Sequence, residues 1–201
     1  MNANPLPAYK IKVDLTNQLT YIYRFNGDNA YEFMDVWASS AGAPETPTLQ
    51  GTYTLKPLTY AGTGEWYYFK SWPCWVNYCT QISGDFCFHT PPMYVDGDYS
   101  KTPMSSISEM MYARSHGCVR LLPRQAAFMW HNMGGCKVEL IYGTLTEETN
   151  RLRDELLMEI PLNSANYPDP VITDKTNYIY TYHNDTPEKL SRLTGLSIEE
   201  L

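Results

Sequence analysis

The order of apolar and polar residues predicts strands in the first part of the chain. Apolar side chains occupy alternate positions in residues 11–25, on both sides of a polar turn at residues 16–18. This period of two indicates a β-hairpin with one face in water. Asn26 and Gly27 give a second turn signal, and residues 31–39 predict a further strand. The first part of the chain is therefore predicted to form an all-β core.

Shorter strands are predicted in the middle of the chain. Residues 53–55 and 66–69 contain the aromatic and β-branched side chains that strands favour. Glycine and proline mark residues 41–47 as a loop between strands. A Gly-Asp turn then leads into residues 86–89, which predict another strand.

A strand at residues 86–89 has a consequence for two reactive side chains. Successive side chains of a strand point to opposite faces of the sheet. Cys87 and His89 therefore share one face, while Phe86 and Phe88 take the other. We expect Cys87 to lie close to the site to which His89 belongs.

Helical spacing replaces this alternation in the last third of the chain. Pro123 fits the first turn of a helix that ends near Met133, before two glycines. Residues 137–142 predict a strand. Leucines at helical spacing among charged residues predict a further helix at residues 147–159.

The segment between these two parts, residues 91–114, has a different composition. It begins with two prolines, contains serines and one glycine, and ends in a methionine-rich stretch. We interpret it as a mobile lid with one short helix at residues 106–112. Its methionines either belong to the core or form an adaptable apolar wall for a substrate.

Composition and charge narrow the class of protein. At 201 residues and 43% hydrophobic composition, the chain is long enough for a globular domain with an appendage. The net charge of −7 argues against a nucleic-acid partner, which requires a basic face. No segment approaches the roughly 18 consecutive apolar residues of a membrane span.

The most reactive chemistry lies in residues 115–120, with the sequence SHGCVR. A cysteine attacks a carbonyl carbon as the thiolate, so it needs a base or a cation nearby. His89 is the candidate base for Cys118, brought to it by the fold. Gly117 permits a backbone conformation closed to other residues, and N–H groups of this turn could form an oxyanion hole.

This combination resembles the active-site motif of the L,D-transpeptidases with a YkuD-type catalytic domain. In that motif an upstream histidine and a spacer precede Ser/Thr-His-Gly-Cys, an apolar residue, and Asn or Arg. The spacer at residues 90–114 is longer than is usual in the family. The resemblance covers roughly residues 9–143. Outside the motif it rests on the strand signals at 11–19, the stretch at 38–42, the TPxG-like segment at 46–55, and the helix and strand at 123–142.

The resemblance implies a fold class and a division of the chain. We expect a mainly β fold: a mixed β-sandwich or β-sheet catalytic domain at residues 9–143, with one or two short helices. A packing helix at 144–160 and a linker at 161–176 should come next. The small C-terminal appendage at 177–201 resembles the first part of a LysM domain, with an ordinary capped helix as the alternative.

The site residues are assigned from the chemistry and the resemblance together. Cys118 is the expected nucleophile and His89 its base, and the backbone carbonyl of Thr90 is expected to orient the imidazole. The resemblance implies that His116 and Gly117 shape the oxyanion region.

Four more residues are predicted at the substrate side of the site. Ser115 is expected to hold the turn. Arg120 either binds a carboxylate of the substrate with two hydrogen bonds or braces the turn. Met110 and Tyr112, from the spacer, are the candidates for the apolar substrate wall.

The implied reaction is acyl transfer on peptidoglycan stem tetrapeptides, with a thioester intermediate, release of D-alanine and transfer to an amine of another stem. Hydrolysis of the same bond would make the protein an L,D-carboxypeptidase, and a non-catalytic cell-wall-binding protein is the alternative from a different class. The resemblance also implies inhibition by carbapenems and a location outside the cytoplasm. No secretory signal is visible, so we infer a longer precursor.

The remaining cysteines, Cys74, Cys79, Cys87 and Cys136, allow two interpretations. In an exported protein they could form disulfides, with Cys74 to Cys79 as the shortest loop. They could equally be buried free thiols, which behave as small apolar side chains. Their spacing does not match a zinc site, so neither a metal nor a cofactor is expected.

Overall fold

A computed structural model of the protein describes residues 7–28, 30–60, 64–93, 102–158, 160, 186–188 and 197–200. In these ranges the strands, in chain order, are β1 (Tyr9–Asp14), β2 (Leu19–Phe25), β3 (Tyr31–Ser40), β4 (Gly51–Thr54), β5 (Lys56–Pro57), β6 (Trp66–Phe69), β7 (Cys74–Asn77), β8 (Thr80–Ser83), β9 (Phe86–His89), β10 (Val119–Leu121) and β11 (Lys137–Ile141). The helices are α1 (Met104–Ser108), α2 (Pro123–Asn132) and α3 (Glu147–Leu157), with a 3-10 turn at Ile198–Glu200.

Nine of these strands form one mixed sheet, in the order β4-β11-β1-β2-β3-β10-β9-β8-β5, while β6 and β7 form a separate hairpin. The long strand β3 belongs to both halves of the sheet, because most of its length pairs with β2 and its last residues, Ser39 and Ser40, pair with β10. Strands β9 and β10 run parallel. The predicted mainly β fold with few helices is confirmed.

The alternating pattern at the start of the chain forms the predicted hairpin. Strands β1 and β2 are antiparallel, with Ile11 opposite Ile22. The carboxylate of Asp14 accepts hydrogen bonds from the backbone N–H groups of Thr16 and Asn17, each at 3.0 Å. This side-chain cap satisfies the turn, which explains why a polar stretch separates the two apolar strands.

The main core lies between the two halves of the sheet and is completed by α2. One face of each strand contributes to it, as the alternation of residue types requires. Helix α2 begins at Pro123, as predicted, and packs its alanines and Met129 inward. The core includes Ile11, Val13 and Ile22 from one half of the sheet, Phe88, Val119 and Leu121 from the other, and Ala126, Ala127 and Met129 from α2.

The second half of the predicted lid is packed into the protein. Residues 94–101 lie outside the described residues. In the remainder, Ile107, Met110 and Met111 are at most 1% exposed and form a second cluster with Leu19. The prediction of a mobile lid is therefore wrong for residues 102–114, because their apolar side chains bury enough surface to hold the segment against the sheet.

The short helix of this segment also differs from the prediction. Helix α1 begins and ends earlier than the predicted residues 106–112. Met111 takes a φ of 67°, a left-handed conformation that does not continue a helix. Its N–H donates to the carbonyl of Ser39 at 2.9 Å, and the Ser40 hydroxyl donates to the carbonyl of Tyr112 at 2.6 Å. These bonds fasten the segment to β3.

Helix α3 comes after the sheet and packs on it. Thr146 and Thr149 form a capping box at its start. Leu156 is buried in the second cluster and Leu152 packs against it. None of the helices in the described ranges is both long and apolar enough to cross a membrane. The predicted linker at 161–176 lies outside the described residues, as does most of the LysM-like segment at 177–201.

Candidate active site

Strands β9 and β10 present the predicted site residues on one face. Their parallel register sets Arg120 opposite His89. Because side chains alternate along a strand, Cys87 lies on the same face of β9 as His89. Cys118 directly precedes β10. The neighbouring residues Phe88, Val119 and Leu121 point the other way and fill the core. Cys118 packs against the cluster that contains Cys87, which confirms that Cys87 lies close to the site.

A cavity of about 130 Å³ lies over this face. Cys118, His89 and Arg120 line it, so the predicted nucleophile, base and arginine share one pocket. The other lining residues come from the turn before β9, the segment before Cys118, the β6–β7 hairpin with its connecting turn, and the segment after β9: Asp85, Ser115, His116, Phe69, Ser71, Trp72, Cys74 and Pro92.

The imidazole of His89 is held between a carbonyl and the thiol. Its Nδ1 lies 2.6 Å from the backbone oxygen of Thr90. A carbonyl oxygen only accepts hydrogen bonds, so Nδ1 carries a hydrogen, and in the neutral imidazole Nε2 keeps its lone pair. The His89 side chain also hydrogen-bonds Cys118. The structure therefore brings Cys118, His89 and Thr90 into one chain of contacts.

The surroundings of Cys118 favour the neutral thiol. The hydrogen bond with the Cys87 thiol, together with the smaller effect of burial, raises the pKa of Cys118 to about 12, while the hydrogen bond and charge of His89 act in the opposite direction. The backbone oxygen of Asp85, 3.5 Å from the sulfur, is a second acceptor available to the single thiol hydrogen. Attack on a carbonyl carbon therefore requires transfer of the thiol proton to His89 as the reaction proceeds.

We expect the rate of alkylation of Cys118 by iodoacetamide to rise continuously from neutral pH to beyond the ordinary thiol value of 9.0. Only the thiolate reacts, and a raised pKa keeps its fraction small until alkaline pH. Alkylation is measured by peptide mapping, with the protein in denaturant as the reference. A plateau of the rate near neutral pH would instead show a preformed thiolate–imidazolium pair.

The turn that carries Cys118 is braced by a loop far away in sequence. The hydroxyl of Thr46 donates to the carbonyl of Ser115 at 2.9 Å, and that of Thr48 donates to the carbonyl of Gly117 at 2.7 Å. Inside the turn, the Ser115 hydroxyl accepts from the Gly117 N–H at 3.1 Å and donates to the carbonyl of Cys118. Ser115 thus holds the turn, as expected. The sequence alone assigned no role to the two threonines.

These bonds limit which N–H group can stabilise an oxyanion. The Gly117 N–H is already used by Ser115. Among the hydrogen bonds of the described residues outside the strand ladders, none uses the Cys118 N–H. The backbone N–H of Cys118 is therefore the candidate oxyanion donor of this turn.

Gly117 is required by both its backbone conformation and its contacts. Its φ is 116°, and a Cβ atom added there would meet Cε1 of Phe86 at 2.7 Å. We expect Gly117→Ala to slow acylation of Cys118 at least about 10-fold and to lower the free energy of unfolding by about 1–3 kcal/mol. Gly135→Ala is the matched control, because Gly135 also has a positive φ of 80° but open space around it. The control should lose stability without slower acylation; equal slowing in both variants would contradict this explanation.

Arg120 is paired inside the protein. Its guanidinium donates to the Glu109 carboxylate at 2.5 Å, and the two side chains are 8% and 37% exposed. Glu109 lies directly after helix α1, so the packed half of the spacer positions the arginine. This ion pair favours the bracing role for Arg120, whose position in the cavity wall also leaves it within reach of a bound molecule.

We expect Glu109→Gln to lower the free energy of unfolding by about 1–2 kcal/mol, measured by urea denaturation. The substitution leaves a largely buried guanidinium with a weaker, neutral acceptor. Glu155→Gln is the control, because the Arg151–Glu155 pair is exposed on α3 and should contribute less than about 0.5 kcal/mol. Equal losses in the two variants would show that burial of Arg120 does not matter.

The β6–β7 hairpin places aromatic rings over the two histidines. Trp72 stacks on His116, with ring centroids 4.0 Å apart and planes 32° apart, although Trp72 remains 55% exposed. The ring of Phe69 packs against that of His89, with ring centroids 5.3 Å apart. Neither contact had a signal in the sequence, because the position of a separate hairpin depends on the completed fold.

The two residues predicted as an apolar substrate wall lie elsewhere. Met110 is 1% exposed in the second cluster, so it is a core residue and not a substrate contact. Tyr112 is half exposed but does not line the cavity. The inward direction of the spacer methionines could not be inferred from their spacing.

All five cysteines are free thiols. Of the two interpretations for the other four, buried free thiols are the correct one, and no Cys74–Cys79 disulfide is present. Among the residues that the structure describes, no group of three or more histidine, cysteine or acidic side chains could hold a metal ion.

Comparison with known families identifies the class of the protein. The model of the L,D-transpeptidase catalytic domain, YkuD, matches residues 8–147, which is more than half of the chain. The chain therefore belongs to the L,D-transpeptidase catalytic domain family. The comparison with curated proteins finds no match.

Several solved structures are similar in fold. A fused Zn-dependent amidase/peptidase/peptidoglycan-binding protein from Clostridium acetobutylicum is 23% identical over 70% of this chain and 56% of its own, with a TM-score of 0.47. An L,D-transpeptidase from Stackebrandtia nassauensis is 18% identical over 69% of this chain and 58% of its own, also with a TM-score of 0.47. L,D-transpeptidase 3 from Mycobacterium tuberculosis, in complex with a faropenem-derived adduct, is 17% identical over 67% of this chain and 60% of its own, with a TM-score of 0.43. The match thus spans less than two thirds of each of these proteins.

Proposed function

We propose that the protein is a cysteine acyltransferase that acts on peptidoglycan stem tetrapeptides. The observation that carries the proposal is the chain of contacts from the Cys118 thiol through the His89 imidazole to the Thr90 carbonyl, at the wall of a cavity. A thiol, a base and an orienting acceptor form the arrangement that acyl transfer uses. Membership of the L,D-transpeptidase family supports the substrate class.

In the first step, Nε2 of His89 takes the thiol proton while the Cys118 sulfur attacks the amide between the third and fourth stem residues. Negative charge then develops on the carbonyl oxygen, where the Cys118 N–H donates a hydrogen bond. The carbon–nitrogen bond breaks, and His89 returns the proton to the leaving amine of D-alanine. The Thr90 carbonyl keeps the imidazole in the required tautomer throughout.

In the second step, the thioester passes its acyl group to an amine of another stem peptide. The thioester is still activated, so the new amide forms without ATP. His89 removes a proton from the attacking amine, and the thiol returns to its resting state. Water in place of the amine would make the same site an L,D-carboxypeptidase. Because L,D-transpeptidases work on the cell wall, we propose that this reaction takes place outside the cytoplasm.

The test is incubation of the protein with a purified disaccharide tetrapeptide and mass spectrometry of the products. We expect loss of D-alanine together with cross-linked dimers, and no change in a disaccharide tripeptide used as the control substrate. Tripeptide without dimers would identify a carboxypeptidase. Binding to insoluble peptidoglycan without any loss of D-alanine would contradict the proposal and favour a non-catalytic wall-binding protein.

A further inference from the structure

We propose that Cys87 is a resolving cysteine: when a peroxide oxidises Cys118, the two residues form a reversible disulfide that switches the site off. The inference rests on the proposed role of Cys118 as the nucleophile and adds a redox modification to the same site. It starts from the four cysteines gathered there, of which Cys74, Cys79 and Cys87 form a buried cluster against which Cys118 packs.

The strand pairing and the packing of the cluster bring Cys118 and Cys87 close together. Strands β9 and β10 pair in parallel with Val119 opposite Phe88. Cys118 directly precedes β10 and Cys87 directly precedes Phe88 in β9, so the two cysteines adjoin this first pair. Neighbouring strands lie about 4.8 Å apart, and disulfides join residues whose Cα atoms are about 4.4–6.8 Å apart. The two thiols also influence each other's pKa, as expected of side chains that lie close together.

Burial gives the pair a fixed order of reaction. Cys118 is partly exposed and lines the cavity, whereas Cys87 is 2% exposed beneath it. A small oxidant in the cavity therefore meets Cys118 first, and Cys87 reacts only with the oxidised sulfur of Cys118. Cys74 also lines the cavity, but it belongs to the separate β6–β7 hairpin and has no register with Cys118.

The chemistry balances with hydrogen peroxide as the oxidant. His89 takes the Cys118 proton, the sulfur attacks one peroxide oxygen, the O–O bond breaks, and the departing hydroxide takes up a proton to leave as water. The Cys118 sulfenic acid is then attacked by the Cys87 sulfur: the S–S bond forms, the S–O bond breaks, and the Cys87 proton leaves with the oxygen as a second water. Two thiols are thus oxidised by two electrons, and a dithiol reductant returns the two electrons and two protons.

The disulfide would protect the nucleophile as well as block it. A sulfenic acid without a neighbouring thiol is oxidised further to sulfinic acid, which thiol reductants do not reverse. A bridged Cys118 cannot attack a carbonyl carbon, yet reduction restores it. The site would therefore stop under oxidation and recover afterwards.

The test is treatment of the fully reduced protein with a small excess of hydrogen peroxide, then thiol blocking at acid pH and mass spectrometry. We expect two of the five cysteines to become unavailable for blocking. Chymotrypsin is the protease of choice, because Trp75, Tyr78 and Phe86 separate Cys74, Cys79 and Cys87 from one another. The linked peptides should contain Cys87 and Cys118, and dithiothreitol should release them.

Variants separate the resolving role from general oxidation. In Cys87→Ala, peroxide should oxidise Cys118 to sulfinic acid, so that acylation by imipenem is lost and dithiothreitol does not restore it. Cys136→Ala should form the disulfide as the unsubstituted protein does. Cys118→Ala should keep all of its remaining thiols after peroxide. Acylation of reduced Cys87→Ala by imipenem shows that this variant is folded. If it is not folded, Cys118→Ala still tests whether oxidation of the other thiols depends on Cys118.

The reduced parent protein distinguishes the two proposals. If imipenem does not acylate it at Cys118, the proposed function is wrong. If imipenem does acylate it but peroxide leaves Cys87 free, or links Cys118 to Cys74, or links Cys79 to Cys87, the inference of a resolving cysteine is overturned while the proposed function stands.

Discussion

Cys118→Ala is expected to abolish both release of D-alanine from a tetrapeptide and acylation by a carbapenem. The reaction has no nucleophile without the sulfur, since the hydroxyl of Ser115 is used to hold the turn. The free energy of unfolding should change by no more than about 1 kcal/mol, because a partly exposed thiol contributes little packing. Product analysis and urea denaturation of the same preparation measure the two effects.

Cys136→Ala is the matched control for this variant. Cys136 is a buried thiol of the main core, away from the cavity. We expect it to lose some stability and to keep its activity. Normal processing of the tetrapeptide by Cys118→Ala would rule out the assigned nucleophile.

His89→Ala is expected to lower the rate of acylation about 10²- to 10⁴-fold, the usual contribution of positioned acid–base catalysis. The effect should be this large because the surroundings of Cys118 raise its pKa, so the thiol cannot supply its own thiolate at neutral pH. Rates are measured by the time course of the adduct mass with imipenem.

His131→Ala is the control for the base. His131 lies on α2 and contacts Tyr78 and Trp130, away from the cavity. Its substitution should leave the acylation rate nearly unchanged. Equal effects of the two variants would mean that the wrong imidazole has been assigned.

Local patterns were sufficient to predict seven of the eleven described strands and part of the site, whereas β5, β7, β8 and β10 were not predicted. Side chains point to alternate faces along a strand, so residues 86–89 alone were enough to predict that Cys87 and His89 share a face. Helix α2 was equally predictable, because Pro123 and the glycines after Met133 mark its ends. The SHGC motif identified Cys118 as the nucleophile, and the upstream histidine of the family's motif pointed to His89 as its base.

Contacts between elements that are distant in sequence could not be predicted in this way. The pairing of Arg120 with Glu109 and the stacking of Trp72 on His116 depend on where the packed spacer and the β6–β7 hairpin lie against the sheet. Composition also misled in the spacer, where prolines and serines suggested mobility. The burial of Met110 and Met111 decides the structure there instead.

The role of Cys118 as the acylated residue is tested most directly by the position of a covalent carbapenem adduct. The reduced protein is incubated with imipenem, digested with trypsin and analysed by fragment-ion mass spectrometry. Trypsin cleaves after Arg114 and Arg120, so residues 115–120 form one peptide. We predict a single adduct on the sulfur of Cys118. An adduct on Ser115, Cys74 or Cys87, or no adduct on a folded protein, would contradict the proposed nucleophile.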